Sequence, residues 1–235
     1  MSSTAHRLSA GRSRFASSIP EPLARVAPFA AFIALLAADP LLAGVVDARW
    51  LAVARALAAA ALLAFFWPRY VELTDSPPVP AREYALAVAA GLGVAALWIA
   101  LDASWAVMGS PGRPFVPLRA DGSFDLPLLV LRLAGFVLVV PVMEELFWRS
   151  FLMRWIAARD FLRVDPRVVG AGPWVVSAML FASEHHAWAA GLVAGLAFGN
   201  IYRRTGNLRT AVASHSISNA ALGGWILATH DWTLW

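Results

Sequence analysis

Seven apolar runs, at about 26–46, 50–67, 84–107, 126–143, 173–188, 189–202 and 208–229, constrain this chain more than any single motif in it. A run of about 20 apolar residues is long enough to cross a bilayer as a helix. Backbone exposed to lipid must satisfy its own hydrogen bonds, which favours the helix over open strands. Seven such spans need about 140 apolar-dominated residues. The 235 residues are 60% apolar and 14% charged, which meets that demand and departs from ordinary soluble domains. The expected fold is all-α, a polytopic transmembrane bundle of about seven spans. Six to eight stay open, because 173–202 is short for two spans and is interrupted by Glu184-His185-His186.

All 19 basic residues are arginine and the net charge is +4. They are scattered between apolar runs and form no continuous basic face, so nucleic acid is not an expected partner. Arg7, Arg12, Arg14 and Arg25 lie in residues 1–25, a basic tail with Pro20 and Pro22 just ahead of the first run. Ala37-Ala38-Asp39 is a weak match to a cleavage site, and the tail reads as cytoplasmic rather than as a secretory signal. With alternating spans, the arginines of the tail, of 68–83, of 149–167 and Arg203-Arg204 fall on one side, which puts the N-terminus in the cytoplasm. Trp67, Trp105, Trp174, Trp225 and Trp232 stand near run ends, where aromatic belts form. The absence of cysteine excludes disulfides, thiolate metal sites and a cysteine nucleophile. No period of 20–50 residues repeats. Gly191, Gly195 and Gly199 share a helix face and predict close packing of a neighbour.

An ionisable side chain at membrane depth as a rule has a partner or a function. Asp39, Arg55, Asp102 and Arg132 are isolated, near run ends, and read as structural groups that snorkel. Three clusters in the second half differ from these. Glu144-Glu145-Leu-Phe-Trp-Arg149 follows the run 126–143 directly, and apolar residues follow it in turn, so a helix running through from about 130 to 160 is expected. Glu145 and Arg149 are then i,i+4 partners in the favourable acid-first order, and Glu144 is left on another face. Phe181-Ala-Ser-Glu-His185-His186 ends an apolar run, with His185 one turn beyond Phe181 and His186 pointing elsewhere. His215 and Asn219, inside 208–229, share one helix face.

Read together as Glu-Glu-x-x-x-Arg (144–149), Phe-x-x-x-His (181–185) and His-x-x-x-Asn (215–219), these clusters resemble the signature of the CAAX protease and bacteriocin-processing family of intramembrane proteases. The glycine-rich helix, basic turn and Thr-Gly of residues 191–208 are similar to the same family. The ending Leu222–Trp235 and the Glu-His-His-Ala-Trp run resemble the members that accompany exosortase systems, which implies a functional link to such a system. The resemblance covers about 126–229, and residues 1–125 carry no family-specific motif. It implies residues 26–125 as N-terminal transmembrane helices and 126–235 as a catalytic helical core. It also implies a bacterial inner membrane, a membrane-associated or exported protein or peptide as substrate, and Glu144, Glu145, Arg149, His185, His215 and Asn219 as the site. Bacteria generally lack prenylation, so a prenylated substrate is not expected.

Peptide hydrolysis needs an activated water and a group that holds the developing oxyanion. Without metal, Glu144 acts as general base, His185 positions the water, His215 and Asn219 donate to the oxyanion, and Glu145 with Arg149 fixes the helix. With metal, His185, His215 and Glu144 form a His₂Glu set for a divalent ion such as zinc, with the second glutamate as base. There is no His-Glu-x-x-His helix to favour the latter. A non-catalytic membrane scaffold of the same fold and a proton- or cation-coupled transporter are the competing classes. Inverted repeats would support the transporter, and none is visible.

Overall fold

The computed structural model of the protein describes residues 19–42, 45–101, 103–109 and 114–235. Residues 1–18, with Arg7, Arg12 and Arg14, and Asp102 lie outside them. The architecture is an all-α membrane helix bundle. Its long helices are α1 (Glu21–Ala37), α2 (Ala48–Phe66), α3 (Ala81–Ala100), α4 (Leu126–Ala157), α5 (Ala171–Ala182), α6 (Trp188–Thr205) and α7 (Leu208–Thr229). The segments Ala48–Arg69, Ala81–Ala100 and Leu126–Ala157 are long and apolar enough to cross a membrane by themselves. Several helix bounds depart from the apolar runs. Helix α1 opens at Glu21, ahead of the first run, and ends at Ala37, short of that run's end; α3 stops at Ala100; α4 continues through the glutamates to Ala157; and α5 stops at Ala182, which leaves Glu184-His185-His186 in the turn.

Local chemistry accounts for several of the ends. Asp47 caps α2 by accepting from the Arg49 backbone N–H, and Asn207 caps α7 by accepting from that of Arg209. Asn207 also donates its amide to the Pro77 carbonyl at 3.0 Å, which ties the start of α7 to the approach to α3. Gly206, at φ 70°, closes α6 in the left-handed conformation that favours glycine. Pro141 removes a backbone donor from α4, and just before it Gly135–Val139 is wound as a π-segment, with the Val140 N–H reaching back to the Gly135 carbonyl. A second π-segment, Leu146–Met153, follows Glu145 directly.

The helices alternate in direction between a basic end and a far end. At the basic end Arg25 lies fully buried and donates to both oxygens of Glu72, at 2.9 and 2.7 Å, and to Glu21 at 2.7 Å. Arg154 of α4 reaches the same Glu72 at 2.8 Å, Ser150 also bonds it, and Arg69 bonds Glu21. At the far end the α5–α6 turn is held by the segment after α3. The Met108 N–H donates to the His186 carbonyl at 2.8 Å, and the Trp188 indole donates to the Trp105 carbonyl at 3.0 Å. The glycine face of α6 packs on α5: a Cβ on Gly195 would stand 2.9 Å from the Ala178 Cα. Gly91 of α3 lets the Ser214 carbonyl of α7 approach with no room for any side chain.

Two sequence-based readings change here. Arg25, Arg149 and Arg154, counted among the basic residues of one face, are all buried, Arg149 paired with Glu145 and the other two with Glu72, so they serve packing and the site. Asp39 and Arg55, read as isolated, form an ion pair with each other.

Glu72 carries the thermodynamic weight of the basic end. Burial alone would raise its pKa, but the hydrogen bonds and charge of Arg25, with Ser150 and Arg154 behind them, hold it below the ordinary glutamate value of 4.5. A depressed carboxylate stabilises the fold above its unfolded value, and that stabilisation is lost as pH falls through the lowered one. The thermal midpoint of the protein in detergent is therefore expected to hold steady down to pH 4.5 and to fall below it. Glu72→Gln leaves buried Arg154 without a carboxylate and Arg25 with Glu21 alone, and is expected to lower stability by about 3–5 kcal/mol at neutral pH and to flatten the acid limb.

Candidate active site

Continuation of α4 past residue 143 brings Glu144 and Glu145 inside the bundle, where both are buried, Glu145 completely. Arg149, one turn on, sets its Nε 3.2 Å from Glu145 Oε2. From α7, His215 bonds its Nδ1 to Glu145 Oε1 at 2.9 Å. The Nδ1–H donates to the carboxylate, which leaves Nε2 as the nitrogen with the lone pair. That Nε2 stands 3.9 Å from Glu144 Oε2, too long for a direct bond and short enough for one water to bond both.

The walls around this pair are aromatic. The Phe198 ring of α6 stacks on His215 at 4.8 Å, and Phe181 meets the same imidazole edge-on at 6.3 Å. The Arg149 guanidinium carbon lies 4.4 Å from the centre of the Phe181 ring. His185, just past the end of α5, turns back so that its Nδ1–H donates to the Phe181 carbonyl at 2.8 Å. Its ring packs on Phe181 at 4.6 Å and against Trp98 of α3 at 5.4 Å. Nε2 of His185 is then the free acceptor. His186 points away and bonds the Met108 carbonyl at 2.6 Å.

Asn219 occupies a different post from the one expected. Its amide donates at 2.8 Å to the Phe136 carbonyl, which lies within the first π-segment of α4. It shares the α4-facing side of α7 with His215, but at least one of its donors is spent on the backbone. Several buried polar atoms have no hydrogen-bond partner: Glu144 Oε2, Glu145 Oε2 and both terminal nitrogens of Arg149. Such atoms are uncommon unless water or substrate meets them, and here they gather around one point.

The sequence-derived set thus converges through α4, α5 and α7. Glu144, Glu145, Arg149 and His215 form one connected cluster, and His185 joins it through the Phe181 ring. Phe198 and Trp98 belong to the same wall and had no sequence signal beyond lying in apolar helices. For a metal, the two free Nε2 atoms and a carboxylate are the right donor types. Among the described residues, however, no group of three His, Asp or Glu is disposed to hold an ion.

Residues 126–221 match the family model described as Rce1-like, type II CAAX prenyl endopeptidase. The matched segment runs from the start of α4 into α7 and contains all six site residues. Comparison with curated proteins and with solved structures found no match.

If Asn219 serves the backbone as the geometry indicates, Asn219→Ala strands the Phe136 carbonyl and costs about 1–3 kcal/mol of stability. A thermal melt of the purified protein without substrate reads this directly; an unchanged midpoint would leave Asn219 a role toward substrate only.

Proposed function

We propose that the protein, whose residues 126–221 match the Rce1-like family of type II CAAX prenyl endopeptidases, is an intramembrane endopeptidase that hydrolyses a peptide bond with a water activated by Glu144 and the histidines. The observation that carries the proposal is the buried chain Arg149–Glu145–His215, which aims a lone-pair nitrogen at the buried Glu144. A membrane protease is what the family supplies; the roles of the residues are our own reading.

In this mechanism Glu144 takes a proton from the water as the water oxygen adds to the carbonyl carbon of the scissile bond. The electron pair of the carbonyl moves to its oxygen, and collapse of that oxyanion expels the amine, which leaves with the proton from Glu144. Glu144 passes this proton on to His215 Nε2, and Glu145, which orients His215, compensates the charge of the imidazolium, as a carboxylate does behind a catalytic histidine. The Nε2–H donates to the oxyanion until it collapses, when the same proton returns through Glu144 to the leaving amine. His185 holds the water through its free Nε2. Since Asn219 already bonds the Phe136 carbonyl, its contribution is to set the pitch of α7 under His215. No step is routed through a metal.

The substrate in this proposal is a membrane-associated or exported protein, in the inner membrane of a bacterium with the N-terminus cytoplasmic. An exosortase system is its proposed setting. Comparison of protein termini in host membranes carrying wild type or Glu144→Gln tests the activity and names the substrate together. Uncleaved termini are expected to accumulate in the variant, with activity lost by a factor of about 100 or more. Identical termini in both membranes, alongside a phenotype on deletion of the whole gene, would instead favour a scaffold or a transporter. Cleavage by the purified protein is expected to persist after treatment with a chelator; loss restored by zinc would overturn the metal-free mechanism.

A further inference from the structure

Glu184 is a carboxylate beside the site that the proposed hydrolysis does not use. It sits in the α5–α6 turn directly before His185, and it is exposed where Glu144 and Glu145 are buried. The turn that carries it is fixed at several points. The Glu184 N–H meets the Phe181 carbonyl at 3.4 Å, the His185 N–H meets the Ala182 carbonyl at 3.1 Å, and the ring and backbone of His186 both bond Met108. None of these ties uses the Glu184 carboxylate. Among the described residues that group makes no hydrogen bond and no ion pair. An acid kept in a membrane bundle without a partner points to a role outside packing.

The charge of Glu184 acts on Glu144 and on Arg149, so the carboxylate stands on the outer side of the buried cluster. Three carboxylates thereby act on one guanidinium, whose Nε is already turned to Glu145. Both histidines present lone-pair nitrogens and add no positive charge. The outer side of the site therefore holds an excess of negative charge, between the apolar rings of Phe181 and Trp98 that pack on His185. Apolar walls focus such a field and draw in the opposite charge. The buried, unpartnered Glu144 Oε2 marks the inner limit of this space. A guanidinium or ammonium on a long apolar stem suits it, with the stem on the rings and the head at Glu184. A bound metal ion suits it less, because among the described residues no group of three His, Asp or Glu is disposed to hold one.

We propose that Glu184 determines specificity, selecting substrates that carry Arg or Lys close to the scissile bond and disfavouring those with Asp or Glu there. The inference rests on hydrolysis at Glu144. Charges couple over about 8 Å in physiological salt, and an extended chain advances about 3.3 Å per residue, so the selected side chain lies within about two residues of the bond. An acidic side chain at the same place would meet Glu144 and Glu184 as like charges, with Arg149 already engaged by Glu145.

The test offers the full-length protein in detergent a mixture of peptides released from host membranes by chymotrypsin, which leaves both signs of charge within them, and reads the new termini by mass spectrometry. Bonds cut by wild type and spared by Glu144→Gln are the cleavages of the protein itself. Arg or Lys is expected beside these bonds about fivefold more often than in the starting peptides, the scale of a partly exposed ion pair. Glu184→Gln is expected to bring that ratio near one, and Glu184→Arg to move the enrichment to Asp and Glu. No enrichment in wild type, or the same enrichment in both Glu184 variants, overturns the proposal. Folded Glu184 variants that cut nothing overturn it too, because the carboxylate would then serve the reaction rather than the choice of substrate. Should Glu184→Arg fail to fold, Glu184→Gln decides. A wild type that cuts no bond spared by Glu144→Gln removes the hydrolytic reading itself, and the selectivity with it.

Discussion

A carboxylate with no solvent exposure, Glu145, is held from two sides by Arg149 of its own helix and His215 of α7. A lone charge there would be far less stable than a neutral group, so the contacts depend on one another. Arg149 supplies the compensating charge, His215 the directional bond, and the stacked Phe198 ring keeps the imidazole from turning. The pairing locks α4 to α7 at one register. Once that register is set, Glu144 meets His215 on its second nitrogen, and Asn219, one turn further along α7, meets the open carbonyl of Phe136.

A separate ionic knot does comparable work at the basic end. Glu72 gathers Arg25 from α1 and Arg154 from α4, so the first helix, the α2–α3 connection and the tail of α4 are tied at one point. The N-terminal helices carry no motif of their own, yet α1, through Arg25 on the Glu72 that Arg154 also holds, braces the helix that bears both site glutamates. In a membrane, where apolar burial gives little drive for helices to associate, polar ties and close glycine contacts carry more of the specificity. Gly91 against Ser214 and Gly195 against Ala178 are the complementary half of that arrangement.

Much of this was legible in the sequence, for reasons that separate local from distant information. The i,i+4 spacing of Glu145 and Arg149, and of His215 and Asn219, follows from helix geometry alone, and both pairs fall on shared faces. The need for α4 to run on past residue 143 followed from requiring one site, and the helix does so. The packing face at Gly191, Gly195 and Gly199 was likewise local. What stayed hidden depends on tertiary approach: Asp39 with Arg55, Arg25 with Glu72, and the rings of Phe198 and Trp98 around the histidines. Positive charges counted as topology signals turned out buried in three cases, Arg25, Arg149 and Arg154, because a single sequence does not distinguish an arginine facing water from one facing a glutamate.

The π-segments of α4 bear on how such a helix can change over evolutionary time. Each wide turn shifts the helix phase, so residues before and after it present to different neighbours. Glu145 looks toward α7, while Ser150 and Arg154, on the far side of the Leu146 turn, look toward Glu72. Loss of one residue within Leu146–Met153 would restore an even pitch and swing everything beyond it by about 100°. The glutamates would keep their histidine while Arg154 turned away from its carboxylate. Length changes in this protein are thus far better tolerated in the connections than inside α4, where residue count itself encodes which partner each half of the helix can see.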